Sequence, residues 1–135
     1  MVNQRFTFAV HIMTALAFAG DLLDSPTLAR SVSSHPVVVR RLLQGLRRAG
    51  LVETYAGQHG GFKLAKSPAR ISLLHIYDAV QSRPLIAISE RKAARHCRVS
   101  CNMKQIMTSV VESAEEAVRK RLRSITLQQL VRQVD

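Results

Sequence analysis

The sequence predicts a mainly α-helical fold with one small two-stranded β-hairpin. Its 135 residues are 47% apolar but only 4% aromatic, and Leu, Val, Ile and Ala dominate, which favours helices. Apolar residues recur at helical spacing along most of the chain, and strict alternation replaces that spacing between residues 51 and 66. The order helix, helix, helix, hairpin, helix is that of a winged helix-turn-helix, here followed by a further long helix.

The first helix is predicted over residues 3–19 and is expected to belong to the core. Its start also resembles a secretory signal peptide, but Arg5 is the only basic residue before the apolar run and His11 interrupts that run. The core interpretation is therefore favoured. Its apolar residues at helical spacing are Phe6, Ala9, Ile12, Met13 and Leu16.

Two shorter helices follow, separated by a serine turn. The second helix is predicted to begin at a Ser25 cap, with a proline in its first turn, and to run to residue 32. Ser33 and Ser34 break it. Ser34 or His35 then caps a third helix that extends to about residue 49, where Gly50 ends it in the left-handed conformation that glycine adopts easily.

The hairpin and the remaining helices complete the predicted organisation. Residues 51–55 and 62–66 alternate as strands do, and a glycine-rich turn joins them. We expect a winged helix-turn-helix domain over residues 1–82, including a helix from about residue 72 to residue 80. A loop over residues 83–101 and a long helix with a short C-terminal helix over residues 102–135 follow.

Positive charge is the strongest global feature of the chain. The formal net charge is +11, and residues 1–66 carry eight Lys and Arg against three Asp and Glu. The third helix contains four arginines, and no acidic residue occurs from Ser33 to Val52. A solvated surface face usually mixes positive and negative charges, so the absence of acidic residues here indicates a polyanionic partner. Nucleic acid is favoured over a membrane surface.

Several function classes are disfavoured by the sequence. No segment is long and apolar enough to span a bilayer. His96 and Cys97 are adjacent, the few acids lie among arginines on the long helix, and no phosphate-cradling loop is present, so we expect no enzyme. Two cysteines without an export signal are typical of a cytoplasmic protein with reduced thiols.

The segment "TLARSVSSHPVVVRRLLQGLRRAGLVETYAGQHGGFKLAKSPARISLLHIYDAV", Thr27 to Val80, resembles the DNA-binding domain of the Rrf-two (Rrf2) family of bacterial winged-helix transcriptional regulators. "LRRAGLV", the wing "GGFKLAKSP" and the helix "ISLLHIYDAV" carry the resemblance, which extends more weakly to "SITLQQL". The family includes an iron–sulfur cluster regulator and a nitric-oxide-sensing repressor. The resemblance implies double-stranded DNA as the partner and, more often than not, repression at a palindromic operator.

The resemblance also implies a two-fold homodimer formed through the long helix. An apolar stripe without an evident partner in its own chain supports this, because such a stripe needs a cover. The alternative is that the stripe folds back on its own domain. The predicted interface residues are Ile106, Val110, Ala114, Val118 and Leu122.

Twelve residues are predicted to contact DNA. They lie at the start of the first helix, at the entrance and on the exposed face of the third helix, and in the wing: Asn3, Arg5, Ser34, His35, Val37, Arg40, Arg41, Gln44, Arg48, Gln58, His59 and Lys63.

Within the third helix, residue types suggest different roles. Arg41 and Gln44 suit guanine and adenine edges, and Val37 suits a thymine methyl group. Arg40 and Arg48 are assigned to phosphates. Arg40 stands where many relatives have Glu or Gln, so their operator rules do not transfer to this chain.

The cysteines distinguish this chain from the cluster-binding relatives, which carry three cysteines in a sensor loop before the dimerisation helix. Here only Cys97 and Cys101 are present, and Ser100 stands where the cluster regulator has a histidine ligand. We therefore expect no cluster, metal or other cofactor. A cluster that pools two cysteines from each subunit, a redox-active thiol pair flanked by cations, and two unreactive thiols remain alternatives.

The sequence thus predicts a homodimeric repressor that binds specific DNA, with a response to thiol oxidation kept as one of the alternatives for its two cysteines. The alternatives are an iron–sulfur cluster-sensing regulator and a protein-interaction module that keeps the fold without binding an operator.

Overall fold

The structure, a computed structural model, describes residues 4–81 and 83–135. These residues divide into two compact units, residues 4–81 with 122–135, and residues 83–121. The elements within the described residues are α1 Arg5–Ala19, α2 Ser25–Val32, α3 Pro36–Arg48, β1 Val52–Tyr55, β2 Gly61–Leu64, a 3-10 turn Pro68–Arg70, α4 Leu73–Val80, α5 Arg98–Arg123 and α6 Leu127–Val131.

The first unit has an aliphatic core that confirms the helical faces read from the sequence. α1 buries Ala9, Ile12, Met13 and Leu16, four of the five predicted residues, while Phe6 is half-buried beside them. α3 contributes four fully buried side chains to the same core. Each such aliphatic side chain stabilises the fold by about 1.5–3 kcal/mol. The four from α3 are Val39, Leu42, Leu43 and Leu46.

The turn between α2 and α3 sets the helix-turn-helix corner. Ser33 has a positive φ of 56°, and the Ser34 N–H donates to the Ala29 carbonyl at 3.1 Å, which closes α2. His35 caps α3, which confirms one of the two predicted caps, Ser34 and His35. The cap of α2 differs from the prediction because Asp24, one residue earlier than Ser25, accepts a hydrogen bond from a backbone N–H of the first turn.

The wing is the predicted antiparallel hairpin, with Val52 paired to Leu64 and Tyr55 to Gly61. Leu23, in the turn before α2, adds an antiparallel bridge to Phe62 through two hydrogen bonds of 2.8 and 2.9 Å. At Gly61, where φ is +155°, a Cβ would lie 2.7 Å from the Leu23 carbonyl oxygen. Glycine at this position therefore allows the wing to be tied to the helical core.

The C-terminal residues differ from the predicted organisation. Leu127 is fully buried in the core of the first unit, its N–H donates to Ile71 at 2.8 Å, and Leu73 donates to Ile125 at 2.9 Å. Residues 122–135 therefore pack with the winged helix-turn-helix, although they were predicted to group with the long helix. Burial of a leucine that follows the long helix decides this.

The second unit contains the loop before α5 and most of α5. The helix begins at Arg98, four residues before the predicted start at residue 102. Hydrogen bonds between the loop and the first turn explain the earlier start, since the Ala94 N–H donates to Ser100 Oγ at 2.7 Å. Among the described residues of α5, Val111 alone is buried. None of the helices in the described residues is long and apolar enough to cross a membrane.

Candidate nucleic-acid interface

α3 separates its side chains into a core side and a cationic side. Opposite the four buried aliphatic residues, six side chains of α3 are exposed. Neither α3 nor the serine turn before it contains Asp or Glu, so the exposed face has one sign of charge. These side chains are Val37, Arg40, Arg41, Gln44, Arg47 and Arg48.

The N-terminus of α3 presents an imidazole and two valines to solvent. His35 Nδ1 accepts a hydrogen bond from the Val37 N–H at 3.2 Å. Val37 and Val38 remain 39% and 36% exposed, which is unusual for β-branched apolar residues at the entrance of a charged helix. Ser34 is half-buried beside them. The helix entrance thus offers methyl groups where a thymine methyl could be contacted.

A groove of about 190 Å³ separates α3 from the wing. From α3 it is lined by Arg40 and Gln44, both predicted site residues, and by Arg47, which the prediction left out. From the wing it is lined by Thr54 and Phe62, which are paired across the hairpin. The sequence held a signal for Thr54, because in a strand it shares one face with the buried Val52.

The wing places its predicted residues in two different settings. Gln58 and His59 are exposed in the turn at the tip. Lys63 neighbours Phe62 in β2 and therefore lies on the face of the hairpin opposite the groove. Its Nζ lies 4.9 Å from the centroid of the Tyr55 ring, and the Tyr55 hydroxyl donates to Glu53 at 2.8 Å. Lys63 is thus held within the wing, away from the α3 groove.

Two further predicted contacts lie at the start of the chain. Asn3 falls outside the described residues. The Arg5 Nε donates to the Val80 carbonyl at the end of α4 at 3.1 Å. That bond ties α1 to α4, so Arg5 has a structural role in the first unit. On α3, the Nε of Arg48 donates to the Gln44 carbonyl at 3.4 Å.

The predicted dimer residues on α5 also fall into two groups. Ile106 and Val110 are 51% and 54% exposed, and Val118 is exposed while Ala114 is half-covered. Leu122, by contrast, packs half-buried against the core of the first unit. The apolar stripe therefore stops before Leu122, because the end of α5 covers the core of its own chain.

A family model described as "Iron-dependent Transcriptional regulator" matches residues 2–133 of this chain. The chain belongs to the Rrf2 family. Among relatives, "Putative HTH-type transcriptional regulator YwnA" of Bacillus subtilis (strain 168) is 33% identical over 132 residues, which are 97% of each chain. The match extends beyond the winged helix to both units, so it includes the loop and α5 as well as the α3 face.

Solved structures agree with this assignment. One described as "a putative DNA binding protein" is 32% identical with a TM-score of 0.75, over 93% of this chain and 97% of that chain. T. potens IscR has the same fold, with a TM-score of 0.74 at 23% identity, over 100% of this chain and 88% of that chain. This Rrf2-family protein is a DNA-binding, helix-turn-helix transcriptional regulator and not an enzyme, as the sequence predicted.

The family description names iron, so we compared the possible ligands of one chain with what a cluster needs. Cys97 and Cys101 are both exposed thiols at the start of α5. Within residues 4–81 and 83–135, no three His, Cys, Asp or Glu side chains are grouped so as to hold a metal ion. A cluster normally needs four ligands, mostly thiolates. One chain of this Rrf2-family regulator does not fit that requirement.

Proposed function

We propose that this Rrf2-family regulator is a homodimeric repressor that binds a palindromic operator with α3 in the major groove. The observation that carries the proposal is the exposed face of α3, where four arginines and Gln44 stand without an acid. Like charges on one helix repel each other, and the phosphates of a duplex would offset that cost. Arg41 and Gln44 supply the donors and acceptors that read base edges.

Homodimerisation is supported by the uncovered stripe on α5. Ile106, Val110 and Val118 leave apolar area in water along one side of the helix, and a second copy of the helix would remove it. A two-fold dimer would present two α3 helices about 34–36 Å apart, which is one turn of DNA. Repression is the behaviour that the family resemblance implies, and it follows if the operator overlaps a promoter.

A response to thiol oxidation is a second part of the proposal, supported by the geometry at the start of α5. Cys97 and Cys101 lie one helical turn apart, and the Cys101 N–H donates to the Cys97 carbonyl at 3.0 Å. Both thiols are exposed, so an oxidant can reach them. Cysteines at this separation fall within the range of distances that a disulfide spans.

The proposal is tested by titrating the protein with DNA from upstream of its own gene at several salt concentrations. If about six phosphates are contacted, the logarithm of affinity falls against log salt with a slope of about −5. Arg41→Ala should cost about 1–3 kcal/mol on the best site and relax the preference between sequences. The same titrations under peroxide and under dithiothreitol test the thiol response.

Two results would count against this function. Binding that hardly depends on salt would remove the role of the arginine face. Equal affinity for upstream DNA and unrelated DNA would favour the alternative of an interaction module that keeps the fold without operator specificity.

A further inference from the structure

The second unit contains a cavity that the DNA interface does not use. It lies between the loop and the first half of α5 and has a volume of about 660 Å³. Pockets that bind small molecules typically measure about 300–1,000 Å³. Its apolar walls are formed by Ile88 from the loop and by Val99, Met103 and Met107 from the helix.

The loop that lines the cavity is joined to α5 at several points. The Leu85 N–H donates to Glu115 Oε1 at 3.2 Å, and Glu90 pairs with Lys104 at 3.4 Å. The bond from the Ala94 N–H to the Ser100 hydroxyl adds a third tie. These ties run along α5 from its first to its fifth turn, so the cavity is a feature of the folded unit.

Both thiols of the chain line this cavity, and their hydrogen bonds differ. Cys97 Sγ accepts a hydrogen bond from the Ser100 N–H at 3.4 Å. Cys101 Sγ instead donates to the Ala94 carbonyl at 3.5 Å. The proton of Cys101 is therefore engaged in holding the loop, whereas the sulfur of Cys97 is oriented as an acceptor. Of the two, Cys97 is the better placed nucleophile.

The lining indicates the chemistry of a ligand. A ligand with an apolar chain would gain binding free energy by burying that chain against the apolar walls. A small polar oxidant such as peroxide has no apolar surface to bury there. Arg91 and Lys92 line the same cavity and supply donors for a carbonyl oxygen. A thiol, donors for an oxygen and an apolar wall together suit an electrophile that carries a hydrocarbon chain.

We propose that the cavity binds apolar α,β-unsaturated aldehydes and that Cys97 adds to them. The sulfur forms a bond to the β carbon, and the π electrons of the C=C bond move to the α carbon through an enolate. The thiol proton ends on the α carbon, so the aldehyde is retained and no oxidant or reductant is consumed. Arg91 or Lys92 stabilises the enolate oxygen as charge develops there.

This proposal deepens the regulatory part of the proposed function and rests on it. An adduct on Cys97 would place its chain against Met103 and Met107. Met103 precedes Ile106 by three residues, so it adjoins the stripe that is proposed to form the dimer. The adduct is therefore positioned to change dimerisation and, through it, operator affinity.

The test compares trans-2-nonenal with acrolein, which has the same reactive group without the alkyl chain. Rates are measured on the full chain by intact mass spectrometry, with peptide mapping of the modified residue. N-acetylcysteine supplies the intrinsic rate ratio of the two aldehydes. We expect the ratio of nonenal to acrolein to be about tenfold higher for the protein, from burial of the chain, with Cys97 modified first.

Two isoleucines of the same loop give matched variants. Ile88→Ser removes apolar wall from the cavity and should lower the rate ratio about fivefold or more. Ile86→Ser makes the same substitution outside the cavity, where Ile86 is 46% exposed. It should leave the rate ratio unchanged. Cys97→Ser should abolish the selective adduct, while Cys101→Ser keeps a donor for Ala94 and should retain it.

A rate ratio equal to that of N-acetylcysteine, or equal effects of the two isoleucine variants, would show ordinary exposed thiols and overturn the proposal. Operator affinity, measured before and after nonenal treatment, distinguishes a failure of the proposed function from a failure of the regulatory role. Failure of untreated protein to prefer its operator defeats the proposed function and leaves the cavity chemistry standing. A selective adduct that does not change operator affinity defeats the regulatory role.

Discussion

At the scale of single residues, the position of Arg47 shows what the folded chain adds to the arginines of the sequence. The sequence prediction left Arg47 out of the DNA contacts, whereas the structure puts it in the groove with Arg40, Gln44 and Thr54. Lys63 is the opposite case, because it was predicted to contact DNA but its side chain lies on the face of the strand away from the groove, over the Tyr55 ring. Residue type alone could not distinguish these two cations.

Arg47→Ala should weaken binding to operator and unrelated DNA alike, by about tenfold, and reduce the salt slope by about one unit. The reason is that a groove arginine of this kind meets phosphates, which carry no sequence information. Arg132→Ala, which removes an exposed arginine from the C-terminus, is the matched control and should change neither quantity. Fluorescence anisotropy at several salt concentrations measures both. A loss confined to the operator would instead assign Arg47 to a base.

Asp24 gives the first unit a stability that depends on pH. Hydrogen bonds from the Thr27 side chain, then from the Thr27 N–H, lower the pKa of Asp24 from its usual value of 3.8. A carboxyl with a lowered folded-state pKa stabilises the fold above its unfolded pKa, and this contribution is lost as pH falls through the folded value. The window therefore lies below about pH 4.

Asp24→Asn keeps a capping side chain but removes the titration. The melting temperature of the wild-type protein should fall more steeply than that of the variant between about pH 4 and about pH 2, when both are followed by circular dichroism. Parallel pH profiles of the two proteins would show that another group controls acid stability.

At the scale of elements, the position of the wing depends on Gly61, and the alternating sequence pattern does not reveal this dependence. β1 and β2 could be predicted because alternation is a local property of the sequence. The bridge from Leu23 to Phe62 could not, since it joins residues far apart in the chain. That bridge brings the Leu23 carbonyl so close to Gly61 that no side chain fits there.

Gly61→Ala should therefore destabilise the protein by about 1–3 kcal/mol. Gly57→Ala is the control, because Gly57 also has a positive φ, of +102°, but a Cβ at that position would have no other atom within 4 Å. It should cost less, since only the backbone conformation is strained. Urea unfolding of both variants measures the difference, and equal losses would mean that the close approach to Leu23 is unimportant.

At the scale of the whole molecule, α5 continues from one unit into the other, and its surface carries the proposed contact between two copies of the chain. Its apolar stripe was expected from helical spacing to run from Ile106 to Leu122. The structure keeps the stripe exposed at Ile106 and Val110 but directs Leu122 into the core of the first unit. The surface available to a second copy is consequently shorter than the pattern suggests.

Val110→Glu should convert the proposed dimer to monomers, because a carboxylate would have to be buried against the apolar stripe of the partner. Sedimentation velocity measures the change, and affinity for a palindromic operator should fall by about 100-fold or more while affinity for a half-site is kept. Gln105→Glu adds the same charge to an exposed position beside the stripe and should leave the dimer intact. Unchanged sedimentation of the Val110 variant would place the subunit contact elsewhere.

The sequence by itself determined the order of the elements, the two sides of α3, the hairpin and the family. These follow from local periodicity, from turn residues and from a run of positive charges without acidic residues, all of which are properties of neighbouring residues in the chain. Only the tertiary structure decided that residues 122–135 close the first core, that Lys63 leaves the groove while Arg47 enters it, and that the thiols share a cavity. Those outcomes depend on which distant surfaces bury each other, and burial between distant segments leaves no periodic trace in the sequence.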